Sequence, residues 1–263
     1  MNDASIHQRA AELINSHESR QPFMPFSAGA TLPSLAVAYA VQRRYVATLA
    51  EQLQTNIAGY KIGLTSPRMQ AMCGINSPIA GRVLSNRLRG DGVVLRCADY
   101  GRLGIEFEIG VRIARDLPAS AAPYTYAEIA AAVGAIAPAV EVIDDRHAQY
   151  QGLDMASLIA DNAWNAGVIV GSWVTTWPAL ADVAGVVFHN GTEIDRGHGR
   201  DVLGHPFHAL TWLANHLAES GEGLRAGDVV ATGSIVPTRF PAGPQAYRYT
   251  LQGLGELRFS IVD

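Results

Sequence analysis

Ile105-Glu106-Phe107-Glu108-Ile109-Gly110-Val111 is the stretch whose reading decides the fold. Its alternation has the two-residue period of a β-strand. Ile105, Phe107, Ile109 and Val111 go to one face, and Glu106 and Glu108 share the other. Same-face neighbours on a strand lie about 7 Å apart, close enough for two carboxylates to repel or to converge on one cation. The competing expectation is a solvent-facing acidic strip on an edge strand. A second stretch weighs against it. In Ala137-Pro138-Ala139-Val140-Glu141-Val142-Ile143, Glu141 sits inside an apolar strand, where a charge is costly unless paired or bound to a metal. Three carboxylates without cysteine or suitably spaced histidine form an all-oxygen set, which suits Mg²⁺ or Mn²⁺ better than zinc. Pairing of Glu141 with Arg102 or Arg112 would be the structural alternative.

Other β-branched runs, punctuated by Gly, Pro and Asp, recur at 92–97, 167–170, 183–189, 228–232 and 247–262, with the two quoted strands extending over 105–114 and 137–143. The body from 59 to 263 is therefore strand-dominated. Residues 1–58 read as a helical segment. Ile6, Ala10, Leu13, Ile14 and His17 recur at helical spacing over 4–17, and a second helix starts near Ser34 as its N-cap. Two helices interrupt the strands, at 126–133 behind Thr125 and at 206–220 with Pro206 in its first turn. The fold class is α+β, and the loop at 21–33 is the candidate boundary.

Chemistry-bearing groups lie around these strands. In Tyr60-Lys61-Ile62-Gly63-Leu64-Thr65, alternation turns Lys61, Gly63 and Thr65 to one side, and Gly63 leaves room for a ligand beside the lysine. Such a lysine can neutralise a substrate carboxylate or move a proton, or it can be a snorkelling surface residue. Asp161 and Asn162, just before a buried strand, could orient water or cap the preceding element. His205 precedes a helix, as a catalytic group or an N-cap. Thr232-Gly233-Ser234 ends a strand with hydroxyls suited to a carboxylate, though such turns also occur without ligands. Arg68, Arg82 and Arg146 could read a second carboxylate, or stay on the surface.

The chain has 263 residues, 17% charged and 48% hydrophobic, with a net charge of −4. That balance, without a Lys/Arg run, offers no footprint for nucleic acid or an anionic membrane. No apolar run reaches the roughly 18 residues of a membrane helix, and Met1-Asn2-Asp3 does not read as a signal peptide. Cys73 and Cys97 are expected as buried or inert thiols in a reducing cytoplasm. Dinucleotide, P-loop, serine-hydrolase and zincin motifs are missing from the sequence.

Taken in order, Tyr60–Ser66, Ile105–Ile109, Pro138–Asp144, Asp161–Ala163, Leu203-Gly204-His205-Pro206 and Asp228–Gly233 resemble the 2-keto-4-pentenoate hydratase and 4-oxalocrotonate decarboxylase branch of the fumarylacetoacetate hydrolase superfamily, over about residues 35–263. The resemblance implies a mixed β-sandwich roll with an N-terminal helical segment, a homo-oligomer and a divalent cation, usually Mg²⁺. It places Glu106, Glu108 and Glu141 on the metal ligands and Lys61 on the active-site lysine, with Asp161 and His205 as further catalytic candidates. Thr65, Asn162, Thr232 and Ser234, together with Lys61, become candidate substrate contacts. The substrate class is a 2-oxo or 2-hydroxydienoic acid. Hydration of 2-hydroxypenta-2,4-dienoate to 4-hydroxy-2-oxopentanoate, in aromatic-compound catabolism, is the first expectation, and decarboxylation of 2-oxo-3-hexenedioate the alternative. Ser77-Pro78-Ile79-Ala80-Gly81 departs from the hydratase pattern, which has Asp where this chain has Ile79; the decarboxylase-like members have an apolar residue there. C–C hydrolases of the superfamily carry a Lys-Gly-x-Asp segment in place of Asp161-Asn162-Ala163. A non-catalytic ligand-binding homologue would not need to retain Lys61 and all three glutamates.

Overall fold

Phe107, 0% exposed, packs its ring 5.3–6.3 Å from those of Tyr247, Tyr249 and Phe259, and this aromatic contact joins the two sheets of the molecule. Burying such rings supplies about 2–3 kcal/mol each. The structure is a computed structural model that describes residues 1–26 and 31–263; part of the expected 21–33 boundary loop lies outside the described residues. The first sheet has seven strands. β1 (Ile57–Gly63), β2 (Ile79–Leu84), β3 (Leu88–Gly90), β5 (Leu103–Ile113), β6 (Val133–Asp144), β7 (Asn165–Val170) and β10 (Val229–Ser234) lie in the order β2-β1-β10-β5-β6-β7-β3. The second joins β4 (Val94–Arg96), β8 (Ala184–His189), β9 (Thr192–His198), β11 (Gln245–Leu251) and β12 (Gly255–Val262) as β4-β12-β11-β8-β9. With six α-helices among the described residues, this is the expected α+β class.

Register explains how distant residues share one face. Glu106 pairs directly with Glu141 across β5 and β6, while Lys61 is level with Ala231, which is level with Gly110. Glu106, Glu108, Glu141 and Lys61 therefore project from the side of the sheet opposite Phe107. A small apolar cluster of Val83, Ala139, Val168 and Ala231 lies on their side, apart from the main core. β5 is the middle strand of seven, so the acidic pair is not on an edge strand. The parallel β1–β10 pairing needs Gly59, because a Cβ there would stand 1.8 Å from the Val229 carbonyl oxygen.

α1 (Asp3–Glu18) is capped by Asn2 and α2 (Leu35–Gln52) by Ser34, as a short polar side chain before an apolar-periodic run predicts. The expected boundary at 58/59 falls inside β1. α3 (Pro67–Met72) follows that strand, and α4 (Tyr126–Ala130) ends before the expected 133, because β6 begins at Val133. The run 247–262 is two strands, β11 and β12, turned by Gly253 and Gly255 at positive φ. α5 (Met155–Ala160) and β2 escaped the sequence reading because every residue in each is buried, which erases the amphipathic period. β9 escaped it as a polar edge strand. α6 (Pro206–Ala218) lies where the stripe of Phe207, Leu210, Leu213, Ala214 and Leu217 predicts.

Candidate active site

β5, β6 and β1 bring Glu106, Glu108, Glu141 and Lys61 together. One carboxylate oxygen from each glutamate lies within 4.8 Å of the other two. Glu108 and Glu141 are completely buried, Lys61 is 4% exposed, and Glu106 is half-buried. Lys61 Nζ stands 3.2 Å from Glu141 Oε1, so Glu141 pairs with the lysine and not with Arg102 or Arg112. Arg102 is taken by Asp145, and Arg112 stacks on Trp173.

Each carboxylate is held by one oxygen. The Gly233 N–H donates to Glu108 Oε2 at 2.7 Å, Asn165 Nδ2 donates to Glu141 Oε1 at 2.9 Å, and the Thr238 hydroxyl donates to Glu106 Oε1. Glu108 Oε1 and Glu141 Oε2 are buried without any partner among the described residues. Burial first, and then the charges of Glu141 and Glu106, push the Glu108 carboxyl well above its ordinary range. Burial also raises Glu141, against the opposing pull of Lys61, to about 7. Burial works against the Lys61 charge, but the three carboxylates outweigh it and keep the ammonium above its ordinary value. Ionised together, three carboxylates and one ammonium leave two negative charges unpaired in a dry site. A divalent cation offsets that charge, and the two orphaned oxygens suit a hard, oxygen-seeking ion.

The walls are close. A methyl on Gly63 would lie 3.4 Å from both Ile79 Cγ1 and Lys61 Nζ, so Ile79, 2% exposed, stands beside the ammonium. A methyl on Gly81 would meet the Asn162 carbonyl oxygen at 2.7 Å and Lys61 Cγ at 3.2 Å. That carbonyl is delivered by a left-handed turn of three consecutive non-glycine residues, Asn162, Ala163 and Trp164, with φ of 53°, 46° and 59°. Each left-handed residue costs about 1–2 kcal/mol, so the surroundings must impose the turn. They do so with a two-pronged clamp. Asn162 Nδ2 donates to the Arg82 carbonyl at 2.8 Å and Asn162 Oδ1 accepts from the Arg82 N–H at 2.7 Å. The Trp164 ring packs edge-on against Phe23 and Tyr150.

Residues 81–262 match the fumarylacetoacetate (FAA) hydrolase C-terminal family. The chain belongs to the fumarylacetoacetate hydrolase family. Within this family it is 31% identical to a 2-keto-4-pentenoate hydratase of Paraburkholderia phymatum over 99% of both chains, and 34% identical to a 4-oxalocrotonate decarboxylase of Pseudomonas putida over 87% of this chain and 86% of that one. The solved 4-oxalocrotonate decarboxylase from Pseudomonas putida G7, complexed with magnesium and adipate, superposes with a TM-score of 0.91 at 29% identity, covering 100% of this chain and 99% of that one. The whole chain thus carries the fumarylacetoacetate hydrolase fold, N-terminal helices included.

Other expected site residues of this family member lie elsewhere or have other partners. Asp161, 1% exposed, gives one oxygen to His17 Nε2 at 2.6 Å and the other to Arg146, so it ties α1 to the sheet and has no free oxygen to aim at the glutamates. His205 caps α6, accepting from the Phe207 N–H at 3.0 Å, with its ring against Tyr126. Thr232 and Ser234 donate their hydroxyls to the carbonyls of Ile109 and Val236, at 2.8 and 2.6 Å; the group of that turn that faces Glu108 is the Gly233 N–H. Thr65 is buried against Gly233. Arg82 and Arg146 are buried ion-pair partners rather than surface residues, whereas Arg68 is exposed. Both cysteines are free and half-buried. The groups that sequence reasoning missed are Asn165, Thr238 and the Gly233 N–H. Asn165 lies three residues after Asn162, but only tertiary structure shows which carboxylate its amide reaches.

Proposed function

We propose that the protein is a lyase that adds water to a 2-hydroxy-2,4-dienoate such as 2-hydroxypenta-2,4-dienoate, giving 4-hydroxy-2-oxopentanoate, in the breakdown of aromatic compounds. The observation that carries this reading is the buried triad with two orphaned oxygens beside Lys61. Glu106, Glu108 and Glu141 would hold a divalent cation, Mg²⁺ first and Mn²⁺ second. Once bound, the cation would supply Lewis acidity toward the 2-oxygen of an α-oxo acid.

The remaining work falls to the chain. The Lys61 ammonium offers a positive charge to the substrate's carboxylate and a proton for the dienol's far carbon, C5. Gly63 keeps a side chain away from the ammonium, Gly81 admits the Asn162 carbonyl and the Lys61 stem, and Ile79 makes that wall apolar. Water then adds at C4 of the resulting enone. The relatives named as hydratases support this order of readings.

Decarboxylation of 2-oxo-3-hexenedioate is the second reading, favoured by one specific observation. Ile79 carries no acid beside Lys61, and loss of CO₂ needs no activated water there. Residues 1–58 would serve as a helical buttress to a catalytic body at 59–263. A homo-oligomer would cover exposed apolar side chains such as Ile57 and Val94, and two free thiols fit a reducing cytoplasm. No helix among the described residues is long and apolar enough to cross a membrane.

The test is an ultraviolet time course with Mg²⁺, offering 2-hydroxypenta-2,4-dienoate and 2-oxo-3-hexenedioate separately, with product mass and CO₂ read at the end. A product one water heavier than the dienol supports the first reading. CO₂ from the diacid replaces it with the second, and silence on both rejects the two.

A further inference from the structure

Asn165 spends only half of its carboxamide on the triad. Nδ2 donates to Glu141 Oε1, but Oδ1, on a residue 7% exposed, is buried without a partner among the described residues. A buried amide oxygen with no donor is destabilising, and the deficit is removed by any small donor that enters. Asn165 borders a polar cavity of about 270 Å³ between the N-terminal helices and the sheet, together with Arg87, Arg89, Asp144 and Arg146. It thus adjoins a space roomy enough for several waters while its amide nitrogen reaches Glu141. Its position is imposed by the strained turn 162–164 immediately before it, which Asn162 and Trp164 lock in place.

Hydration requires a seat for water next to the substrate, and the wall beside Lys61 cannot supply one, because it is Ile79. We propose that Asn165 Oδ1 accepts a hydrogen bond from the water that adds to the substrate, an assignment that rests on the hydratase reading above. In that step the water oxygen bonds to C4 of the 2-oxo-3-enoate, the C3=C4 electron pair moves to C3, and the water's proton ends on C3; no oxidant or reductant enters. Asn165 is neutral and takes no proton. Its contribution is to hold the oxygen lone pair toward C4, as preorganised dipoles do elsewhere in catalysis.

The experiment separates protonation from hydration. Asn165→Ala and Asn165→Ser proteins, loaded with Mg²⁺, are given 2-hydroxypenta-2,4-dienoate in D₂O. With Mg²⁺ saturating, 4-hydroxy-2-oxopentanoate should form about 10²-fold more slowly in Asn165→Ala while deuterium uptake at C5 falls far less, so that the enone accumulates. Asn165→Ser, whose hydroxyl can accept, should recover part of the loss. Mn²⁺ affinity, read from the magnetic resonance signal of the free ion, should fall in both alike, since both lose the Nδ2 donor to Glu141, so it does not account for the difference between them. Hydration at the unsubstituted rate in both variants would overturn the assignment. So would equal losses of deuterium uptake and hydration at saturating Mg²⁺ in both variants, which would give Asn165 to Glu141 alone. Failure of the hydratase reading itself shows earlier, as CO₂ release without hydration by the unsubstituted protein.

Discussion

The buried charges around Asp161, Arg82 and the glutamate triad are of two kinds, which differ in how completely their carboxylate oxygens are satisfied. Around Asp161, both carboxylate oxygens are taken, by His17 and Arg146, and Arg146 reaches on to Ser16 at 2.6 Å. Around Arg82, Gln42 and Glu222 close a similar network, with Glu222 accepting twice from the guanidinium at 2.7 and 2.8 Å. The triad of Glu106, Glu108 and Glu141 is different. It has more acid than base, and two of its oxygens face no donor. A network whose carboxylate oxygens are all taken holds elements together, even though Arg146 Nε in it has no partner among the described residues. An unsatisfied one, equally buried, is kept at a cost that structure alone does not return, which is why the triad reads as a ligand site and Asp161 as a tie between α1 and the sheet.

The contrast can be broken by substitution. Glu106→Ala should lower metal-dependent turnover by about 10³-fold or more with the thermal midpoint of chelated protein nearly unchanged; turnover that survives removal of the metal would make the triad a structural feature. Asp161→Asn should do the reverse, costing about 3–5 kcal/mol in urea unfolding because Arg146 loses its counter-charge, while kcat of the folded protein stays the same. Loss of kcat at unchanged stability would instead return Asp161 to the catalytic set.

Smaller effects sharpen the comparison. Glu108→Gln should raise the stability of chelated protein by about 1–2 kcal/mol, since it removes a buried like charge, and should abolish stabilisation by added Mg²⁺; a lower thermal midpoint in chelator would contradict that. Glu222→Gln should cost about 1 kcal/mol near neutrality. Burial alone would raise the Glu222 carboxyl, but the Arg82 charge and hydrogen bonds hold it below its ordinary 4.5. Its contribution is therefore complete above pH 4.5 and lost as pH falls through the lower folded value. The stability gap between the two proteins should close in acid, and a gap that persists there would show that shape, not charge, is at stake.

Much of the site was legible because it is written in a local period. Alternation over 105–111 set Glu106 and Glu108 on one face, an apolar strand around Glu141 marked its charge as costly, and Gly63 beside Lys61 announced space. These readings need only the geometry of one strand at a time. Less was legible where every residue is buried, as in α5 and β2, since a segment without a polar face has no period to read.

Partner choice belonged to the tertiary structure. Nothing local distinguishes Asp161, which finds His17 from a helix 144 residues away, from Glu141, which finds Lys61. The hydroxyls of Thr232 and Ser234 promised a ligand, yet neighbouring carbonyls take them, and the main-chain N–H of Gly233 turns to Glu108 instead. Asn165 reaches Glu141 only because three residues before it adopt a left-handed turn that no propensity favours. The sequence by itself determined which side of each strand is charged, because that follows from bonds along the chain. Which charges meet, and which oxygens stay open, was decided by register and packing between strands far apart in sequence, where a shift of one residue would turn every side chain to the other face.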